Sequence, residues 1–311
     1  MKIQWKQTLC ALVAAMIWGS AFVAQSDGAR LLPPMSFNAC RFMVGAAVLG
    51  AFLLLRRGWN TRREKAAPQE KPKNGKFLLL GGLCCGTALG VASNLQQIGI
   101  GESGAGKAAF ITSLYIILVP LFSIVLRKKV SPHIFISVLA AAVGLYLLCI
   151  KEGEGFSVTG SDWALILCAV VFAGHILCID FFAARVDSIK LTCLQFVVAG
   201  ALSAVGALIS ERPSAEQIVA CAFPILYVGV LSCGVGYTLQ TVAQSGGNPT
   251  VVTLLLSLES LFGILTEAVL PPHVTHTSRE YIGCFIMLAA VLSAQIPLPH
   301  RKRAPEQEQN P

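Results

Sequence analysis

Ten apolar runs follow one another along the chain, separated by short polar segments. A helix needs about 20 mainly apolar residues to cross a bilayer, and each run is close to that length. Only 13% of the residues are charged, whereas a soluble domain carries roughly 25%. The runs lack the alternation of a membrane strand, which favours helices. The sequence therefore predicts an all-α polytopic membrane protein with ten transmembrane helices. The predicted helices are Thr8–Ala24, Met35–Leu55, Phe77–Gln97, Lys107–Leu126, Pro132–Ile150, Asp162–Phe181, Lys190–Ser210, Glu216–Gln240, Asn248–Val269 and Glu280–Ile296.

Basic residues are distributed unequally between the two sides of the predicted bundle. With ten spans both termini lie on one side, and that side carries 18 of the 24 Lys and Arg residues. Five lie on the other side, and Arg41 lies within a span. Cytoplasmic loops are the ones enriched in Lys and Arg, so both termini are predicted to be cytoplasmic. The net charge of +8 is therefore explained by the basic residues of the cytoplasmic segments. Because these residues do not indicate a nucleic-acid-binding surface, no nucleic-acid partner is expected.

Two segments are predicted to lie outside the membrane on the cytoplasmic side. Residues 56–76 are rich in Lys, Arg and Pro, so we expect a flexible basic loop there. Residues 297–311 are expected to form a disordered tail. The remaining chain falls into two five-helix units, residues 8–150 and residues 162–296.

The two units resemble each other in the same helix order. The aligned pairs are Arg41-Phe42 with Gln195-Phe196, Gly90-Val91 with Gly234-Val235, Leu95-Gln96 with Leu239-Gln240, and Pro120-Leu121-Phe122 with Ser260-Leu261-Phe262. Because five is odd, the second unit must enter the membrane with inverted topology. Inverted repeats around a midplane site are typical of secondary transporters. The alternative is a duplicated helical scaffold with another task.

Short motifs in this order resemble the EamA-type drug/metabolite transporter superfamily. They are Ile17-Trp18-Gly19-Ser20-Ala21-Phe22-Val23, Arg41-Phe42, Pro120-Leu121-Phe122 and Leu258-Glu259-Ser260-Leu261-Phe262. The resemblance covers about residues 8–296 and implies two EamA repeats with a substrate cavity between them, in a family whose members are often exporters. The sixth helix departs from the pattern, since Ala173-Gly174-His175 stands where the first helix has Trp18-Gly19-Ser20. The two halves therefore need not contact a substrate equivalently.

Three ionisable residues inside predicted helices are candidates for function. A charge in the hydrocarbon core costs about 2.5–3.5 kcal/mol on insertion scales, so such residues are rarely incidental. Glu259 is expected to bind a cationic group or carry a proton, or else to be a neutral carboxylic acid bonded to a neighbouring helix. His175 either exchanges protons near neutral pH or is structural. Arg41 either attracts a carboxylate or phosphate or extends its side chain to the membrane surface.

Neutral polar and aromatic residues accompany these charges, and they suit a cavity that holds a polar organic solute and releases it. They are Trp18, Ser20, Asn94, Gln97, Tyr115, Tyr237 and Gln240. The alternative for each is a contact that holds helices together. The predicted substrate site consists of Trp18, Ser20, Arg41, Asn94, Tyr115, His175, Tyr237 and Glu259, with Glu259 and His175 also coupling protons.

Two motifs are rejected as sites. Gly101 to Lys107 fits the phosphate-binding pattern G-x-x-x-x-G-K, but Ala108 replaces the Ser or Thr that would hold magnesium, and no strand precedes the segment. The segment is instead expected to break the backbone between two helices. His273 and His276 supply only two potential ligands, which is too few for a metal site. No metal and no cofactor are therefore expected.

These observations predict a secondary transporter that moves a small organic metabolite or drug-like solute by alternating access. Export is the expected direction, with proton coupling, facilitated diffusion and exchange all open. The alternatives are an intramembrane enzyme and a membrane scaffold or receptor. No G-x-S-x-G or H-E-x-x-H motif is present, and no long loop supplies a docking domain. We expect a monomer or homodimer in a bacterial inner membrane, in contact with lipid and a small-molecule substrate.

Overall fold

Helices account for all of the regular secondary structure in the described residues. The computed structural model describes residues 5–63, 75–103, 105–127, 130–150, 160, 162–269 and 277–296. In the first half, the helices are α1 (Trp5–Leu31), α2 (Pro34–Arg63), α3 (Gly75–Ser103), α4a (Ala105–Ser113), α4b (Tyr115–Val125) and α5 (Pro132–Cys149). In the second half, they are α6 (Asp162–Ala183), α7 (Ser188–Ser210), α8 (Ala215–Ala220, Ala222–Tyr227, Val228–Tyr237 and Thr238–Gln244), α9a (Pro249–Leu256), α9b (Glu259–Val269) and α10 (Ser278–Gln295).

Nine spans in the described residues are long and apolar enough to cross a membrane. The tenth helix, α10, is 18 residues long and begins with Arg279 and Glu280 in its first turn, which lowers its mean hydropathy. It nevertheless packs along α5, so closely at Gly283 that a Cβ added there would lie only 2.6 Å from the Gly144 carbonyl oxygen. Large apolar side chains such as Leu54, Leu208 and Phe285 face outward, as a lipid-facing surface requires. The predicted ten-helix membrane fold is confirmed.

Helix contacts repeat after every five helices, as an inverted repeat requires. α1 packs on α8 and α9b, and α6 correspondingly packs on α3 and on α4a and α4b. α2 packs on α8 as α7 packs on α3, while the pairs α2–α7 and α5–α10 join equivalent helices of the two halves. Where α2 meets α7, the rings of Phe42 and Phe196 stack with centroids 5.8 Å apart. These are the residues that the sequence alignment of the halves had paired.

Three of the predicted spans are interrupted or altered. The fourth is broken at Leu114 between α4a and α4b, and its repeat partner is broken at Ser257 and Leu258 between α9a and α9b. At the second break the Ser257 hydroxyl donates to the Leu254 carbonyl at 2.8 Å, so a side chain competes for backbone acceptors there. The eighth span is altered rather than broken, because α8 contains a π-helical stretch, Val228–Tyr237, in which the helix is wider than an α-helix. Such stretches are frequent at functional sites.

The second helix is longer than its predicted span and extends into residues 56–76, the segment predicted to be a flexible basic loop. α2 continues as a helix to Arg63 rather than ending near Leu55, and Arg56 forms an ion pair of 3.2 Å with Asp187 at the start of α7. Arg and Lys have good helix propensity, so a charged sequence does not by itself end a helix. Residues 64–74 and the predicted tail at 297–311 lie outside the described residues.

Candidate functional site

A cavity lies between the two halves of the protein. Both halves contribute to it, through α1 to α4 from the first and α6, α8 and α9 from the second. The lining residues are Trp18, Phe22, Gln25, Arg41, Gln96, Thr112, Tyr115, Phe172, His175, Ile176, Ser232, Tyr237, Gln240, Leu256 and Glu259. Six of the eight predicted site residues are among them. Since the cavity is built at the interface of two inverted repeats, it lies where such a fold places a transport site.

Glu259 is the first residue of α9b, directly after the break in the ninth span. The side chain is buried, and its Oε1 accepts hydrogen bonds from the Tyr115 hydroxyl at 3.1 Å and the Ser113 hydroxyl at 3.4 Å. Ser113 and Tyr115 flank the break in the fourth span. The two broken helices therefore meet at one carboxyl group.

Arg41 projects from α2 into the same cavity and is only 2% exposed. Its Nη1 donates to Gln25 Oε1 at 2.6 Å, and its Nε has no hydrogen-bond partner in the described part of the chain. The guanidinium carbon lies 4.9 Å from the ring centre of Phe42 and 5.7 Å from that of Phe37. Its side chain points into the protein and does not extend to the membrane surface. A buried cation with so few partners is suited to receive an anion.

His175 faces the cavity from α6, in the half of the protein opposite Arg41. Its Nε2 lies 3.1 Å from Gln195 Oε1. An amide oxygen only accepts hydrogen bonds, so Nε2 carries the proton in this arrangement. The Nδ1 atom is buried without a partner among the described residues. With the proton on Nε2, the Nδ1 atom is left as a hydrogen-bond acceptor that a donor group in the cavity could reach.

Aromatic rings form the wall of the cavity between these polar groups. The rings of Trp18 and Tyr237 lie 4.8 Å apart between centroids, and His175 packs edge-on against Tyr237 and Phe172 at 6.4 Å and 6.2 Å. The cavity thus combines one cation, one carboxyl group and a largely aromatic wall.

Ser20 and Asn94, which the sequence also suggested, lie outside the cavity lining. The Ser20 hydroxyl donates to the Ile17 carbonyl at 2.9 Å and accepts from the Tyr227 hydroxyl at 2.8 Å. Asn94 accepts from the Asn38 amide at 2.7 Å and donates to the Ser203 hydroxyl at 2.9 Å. In this conformation the polar groups of both residues connect neighbouring helices.

Several cavity residues were not singled out by the sequence. Gln25 lies seven residues after Trp18 and three residues after Phe22, a spacing that places the three side chains on one helix face. In α3 it is Gln96 that lines the cavity, whereas the predicted Gln97 donates to the Gln25 carbonyl at 3.0 Å. Adjacent residues point about 100° apart on a helix. The helical phase was therefore the signal that could have identified Gln25 and Gln96.

No group of three or more His, Cys, Asp or Glu side chains is placed to hold a metal ion in the described ranges. His273 and His276 lie outside those ranges. The described residues of the rejected glycine-rich segment are helical, since residues 101–103 end α3 and residues 105–107 begin α4a. A phosphate-binding loop of that type follows a strand, and α3 is a helix.

Comparison with known proteins agrees with this architecture. A family model described as the EamA-like transporter family matches residues 5–150 and 160–294, one match for each half. An uncharacterized transporter of Archaeoglobus fulgidus is 27% identical over 287 residues, which is 90% of this chain and 82% of that protein. A solved crystal structure, described only as that of a protein, has a TM-score of 0.71 at 19% identity and covers 93% of this chain and 96% of its own. That structural likeness supports the fold.

Proposed function

The chain belongs to the EamA-like transporter family, and we propose that it is a secondary transporter that exports a small organic solute by alternating access. The observation that carries the proposal is the cavity shared by the two inverted halves. When one half rocks against the other around a central site, that site opens to each side of the membrane in turn. The mixed lining suits a solute that is partly polar and partly apolar.

The breaks in the fourth and ninth spans are points at which the helices could bend during this motion. The fourth and ninth spans are equivalent in the two repeats, and each contains a break. The residues that follow the breaks, Tyr115 and Glu259, line the cavity. At the breaks, Leu114 N bonds to the Ile111 carbonyl and Leu258 N to the Leu255 carbonyl, one residue nearer than in an α-helix. We propose that the two segments of each span change their relative angle at these points. Movement of α4b and α9b would therefore be communicated directly to the bound solute.

Proton coupling is proposed to use Glu259 and His175. Both side chains are buried and line the cavity, and both change charge when they bind or release a proton. A proton taken up from outside and released inside would supply the energy for export. Glu259 is the principal candidate because it joins the two broken helices, so its protonation state acts on the moving elements.

The protein is proposed to reside in a bacterial inner membrane with both termini in the cytoplasm. The support is the 18 of 24 basic residues on the terminal side. Lipid and a small-molecule substrate are its proposed partners, and it is proposed to act as a monomer or homodimer. No nucleic-acid partner is proposed, and transport rather than catalysis follows from the family.

Metabolite profiling tests the transport proposal. The medium and cytoplasm of cells with and without the protein are compared, and each compound that changes is then followed in inverted membrane vesicles. We expect at least one small organic solute to enter the vesicles in a protein-dependent manner when a proton gradient is applied. Unchanged profiles and unchanged vesicle uptake would contradict the proposal.

The Glu259→Gln variant tests the coupling. It should abolish gradient-dependent uptake while the protein is still made and inserted. Glu102→Gln is the matched control, because it removes an exposed carboxylate at the end of α3, away from the cavity. Normal gradient-driven uptake by Glu259→Gln would show that this residue does not carry the proton.

A further inference from the structure

Five exposed basic side chains lie at the end of the bundle where α2 ends, α3 begins and α6 connects to α7. They are Arg56, Arg57, Lys76, Arg185 and Lys190, and together they are termed the basic cluster. Within the described residues, the same helix ends carry two acidic residues, Asp180 and Asp187. Positive charge is therefore in excess on this surface, which is suited to attract an anion.

Direct contacts hold these helix ends together. Arg56 Nη1 lies 3.2 Å from Asp187 Oδ2, which joins the end of α2 to the start of α7. In α3, a Cβ added at Gly81 would lie 2.9 Å from the Phe182 ring of α6 and 3.1 Å from the Leu191 side chain of α7. The three helices are therefore in close contact at Gly81, and the residues of the basic cluster belong to one continuous surface.

An aromatic group joins the helices that carry Lys76 and Arg185. Lys76 directly precedes Phe77 at the start of α3. The Phe77 ring lies 4.9 Å from that of Phe182 and 5.9 Å from that of Phe181, between centroids. The Arg185 guanidinium carbon lies 4.1 Å from the centre of the Phe181 ring, and its Nη1 donates to the Phe181 carbonyl. Lys76 and Arg185 are therefore attached to neighbouring helices that meet through these rings.

Three members of the basic cluster have no acidic partner among the described residues. They are Lys76, Arg185 and Lys190. Asp187 is already engaged, since its Oδ2 pairs with Arg56 and its Oδ1 accepts from the Lys190 backbone N–H at 3.1 Å. A guanidinium binds phosphate oxygens through two parallel hydrogen bonds, and a lysine ammonium group adds a point charge. Lys76 and Arg185 are therefore suited to hold a phosphate group.

Lipid-facing apolar side chains adjoin the basic cluster on its membrane side. Leu80 lies one helical turn after Lys76 along α3. Phe181 lies one turn before Arg185, near the end of α6. Both apolar side chains are exposed. A free phosphate ion would contact only the basic groups, whereas a phospholipid would also place its acyl chains on these apolar side chains. The arrangement therefore favours a phospholipid over a free phosphate ion.

The opposite end of the protein indicates that the fold does not require this charge. When the alignment of the two halves is extended to the helix ends, the positions equivalent to the basic cluster are Ser210, Glu211, Ala220, Arg30 and Ser36. One of these five residues is basic and one is acidic. The equivalent helix ends therefore pack without an excess of positive charge.

We propose that the basic cluster binds the headgroup of an anionic phospholipid, with Lys76 and Arg185 on its phosphate. The acyl chains then lie along the lipid-facing surface of α3 and α6. A phosphate diester without an ammonium group, as in phosphatidylglycerol, has a net negative charge that the cluster attracts. The choline of phosphatidylcholine adds a positive charge that the cluster repels. No residue of the cluster lines the cavity, so the inference depends neither on the solute nor on transport.

Native mass spectrometry of the full-length protein tests the proposal. The protein is purified in detergent and titrated with phosphatidylglycerol or with phosphatidylcholine of the same acyl chains. We expect phosphatidylglycerol to bind at least about 5-fold more tightly, and higher salt should weaken its binding. Equal binding of the two lipids would contradict the proposal. So would displacement of phosphatidylglycerol by inorganic phosphate beyond that caused by sodium chloride of the same ionic strength, because it would indicate a site for the free ion.

Two variants and a matched control locate the site. Lys76→Gln and Arg185→Gln should each weaken phosphatidylglycerol binding about 5-fold and leave phosphatidylcholine binding unchanged. Arg212→Gln removes the same charge from an exposed arginine beside lipid-facing Leu208 and Ile209, at the opposite end of α7, and it should bind as the wild type does.

Equal weakening by all three substitutions would mean that net charge alone attracts the lipid, and the proposed site would be wrong. Wild-type affinity in both Lys76→Gln and Arg185→Gln would also contradict it. If a variant does not fold, the headgroup preference of the wild-type protein still decides whether an anionic lipid is bound.

Discussion

The Tyr115 hydroxyl donates a hydrogen bond of 3.1 Å to Glu259 Oε1, and this bond connects the two broken helices of the protein. Tyr115 begins α4b and Glu259 begins α9b, so the bond joins the second segments of two spans that are equivalent in the repeats. Both residues also line the cavity. A change in the protonation or occupancy of Glu259 would therefore alter a contact between the halves as well as the binding site.

Replacement of Tyr115 by Phe removes this bond and leaves the ring in place. We expect transport of the native solute to fall and its pH dependence to change, because Glu259 loses a donor that positions it. Interhelical hydrogen bonds in membranes contribute about 0.6 kcal/mol on average, so the loss of stability should be small. Transport at several pH values in vesicles measures the effect.

Tyr227→Phe is the matched control for that experiment. It removes the bond from the Tyr227 hydroxyl to Ser20, an interhelical bond of 2.8 Å outside the cavity lining. Its stability loss should be similar, and its transport should keep the wild-type pH dependence. Equal pH profiles for Tyr115→Phe and the wild type would show that the bond to Glu259 does not position the carboxyl group.

Much of the fold could be predicted from the sequence, because lipid imposes a simple rule on it. Each span must satisfy its own backbone, so apolar length alone locates the helices. The repeat alignment also made Phe42 and Phe196 equivalent, but it did not predict that their rings stack. The breaks at Leu114 and Ser257 were not predicted either, because both lie within apolar runs whose hydropathy continues across them. Interruptions of this kind depend on tertiary packing that hydropathy does not report.

The candidate site was predictable only in part, and the reason is geometrical. Glu259, Arg41 and His175 were found because charges are costly in hydrocarbon. Ser20 and Asn94 are polar as well, but their helical phase directs them to neighbouring helices. A polar residue in a span indicates a need for a partner, and sequence alone does not say whether that partner is a helix or a ligand.

Close packing between α1 and α9b is the basis of a second prediction. A Cβ at Gly19 would lie 2.6 Å from both the Glu259 carbonyl oxygen and the Phe262 Cβ. Gly19→Ala should therefore separate the helices and destabilise the protein by about 1–3 kcal/mol, as overpacking does. The measurement is the apparent unfolding temperature in detergent, which should decrease.

Gly174 offers a control at the equivalent position of the other half. A Cβ there would have nothing within 4 Å, so Gly174→Ala should leave stability unchanged or raise it slightly through helix propensity. Equal destabilisation by the two substitutions would mean that the backbone contact at Gly19 is not responsible.

A third prediction concerns the two ends of the α2–α7 pair. Glu211, after α7, accepts hydrogen bonds from Met35 N at 2.9 Å and from Ser36 N and Oγ at 2.7 Å, which caps the start of α2. At the opposite end, Arg56 and Asp187 form an ion pair with side chains 42% and 28% exposed. Glu211→Ala should cost about 1–2 kcal/mol, whereas Arg56→Ala should cost less than about 1 kcal/mol. Comparison of the two unfolding temperatures tests the difference, and a larger effect of Arg56→Ala would contradict it.

The final prediction concerns the orientation of the protein, and it uses the two ends of α7. Lys190 lies near the start of α7 and Arg212 lies just after its end, and both side chains are exposed. If the termini are cytoplasmic, a membrane-impermeant maleimide added to intact cells should label Arg212→Cys but not Lys190→Cys. Permeabilised cells should label both, and the wild-type protein with its eleven native cysteines gives the background. Labelling of Lys190→Cys alone in intact cells would invert the proposed topology. It would also place the excess of basic residues outside the cell, against the electrostatic rule from which the orientation was inferred.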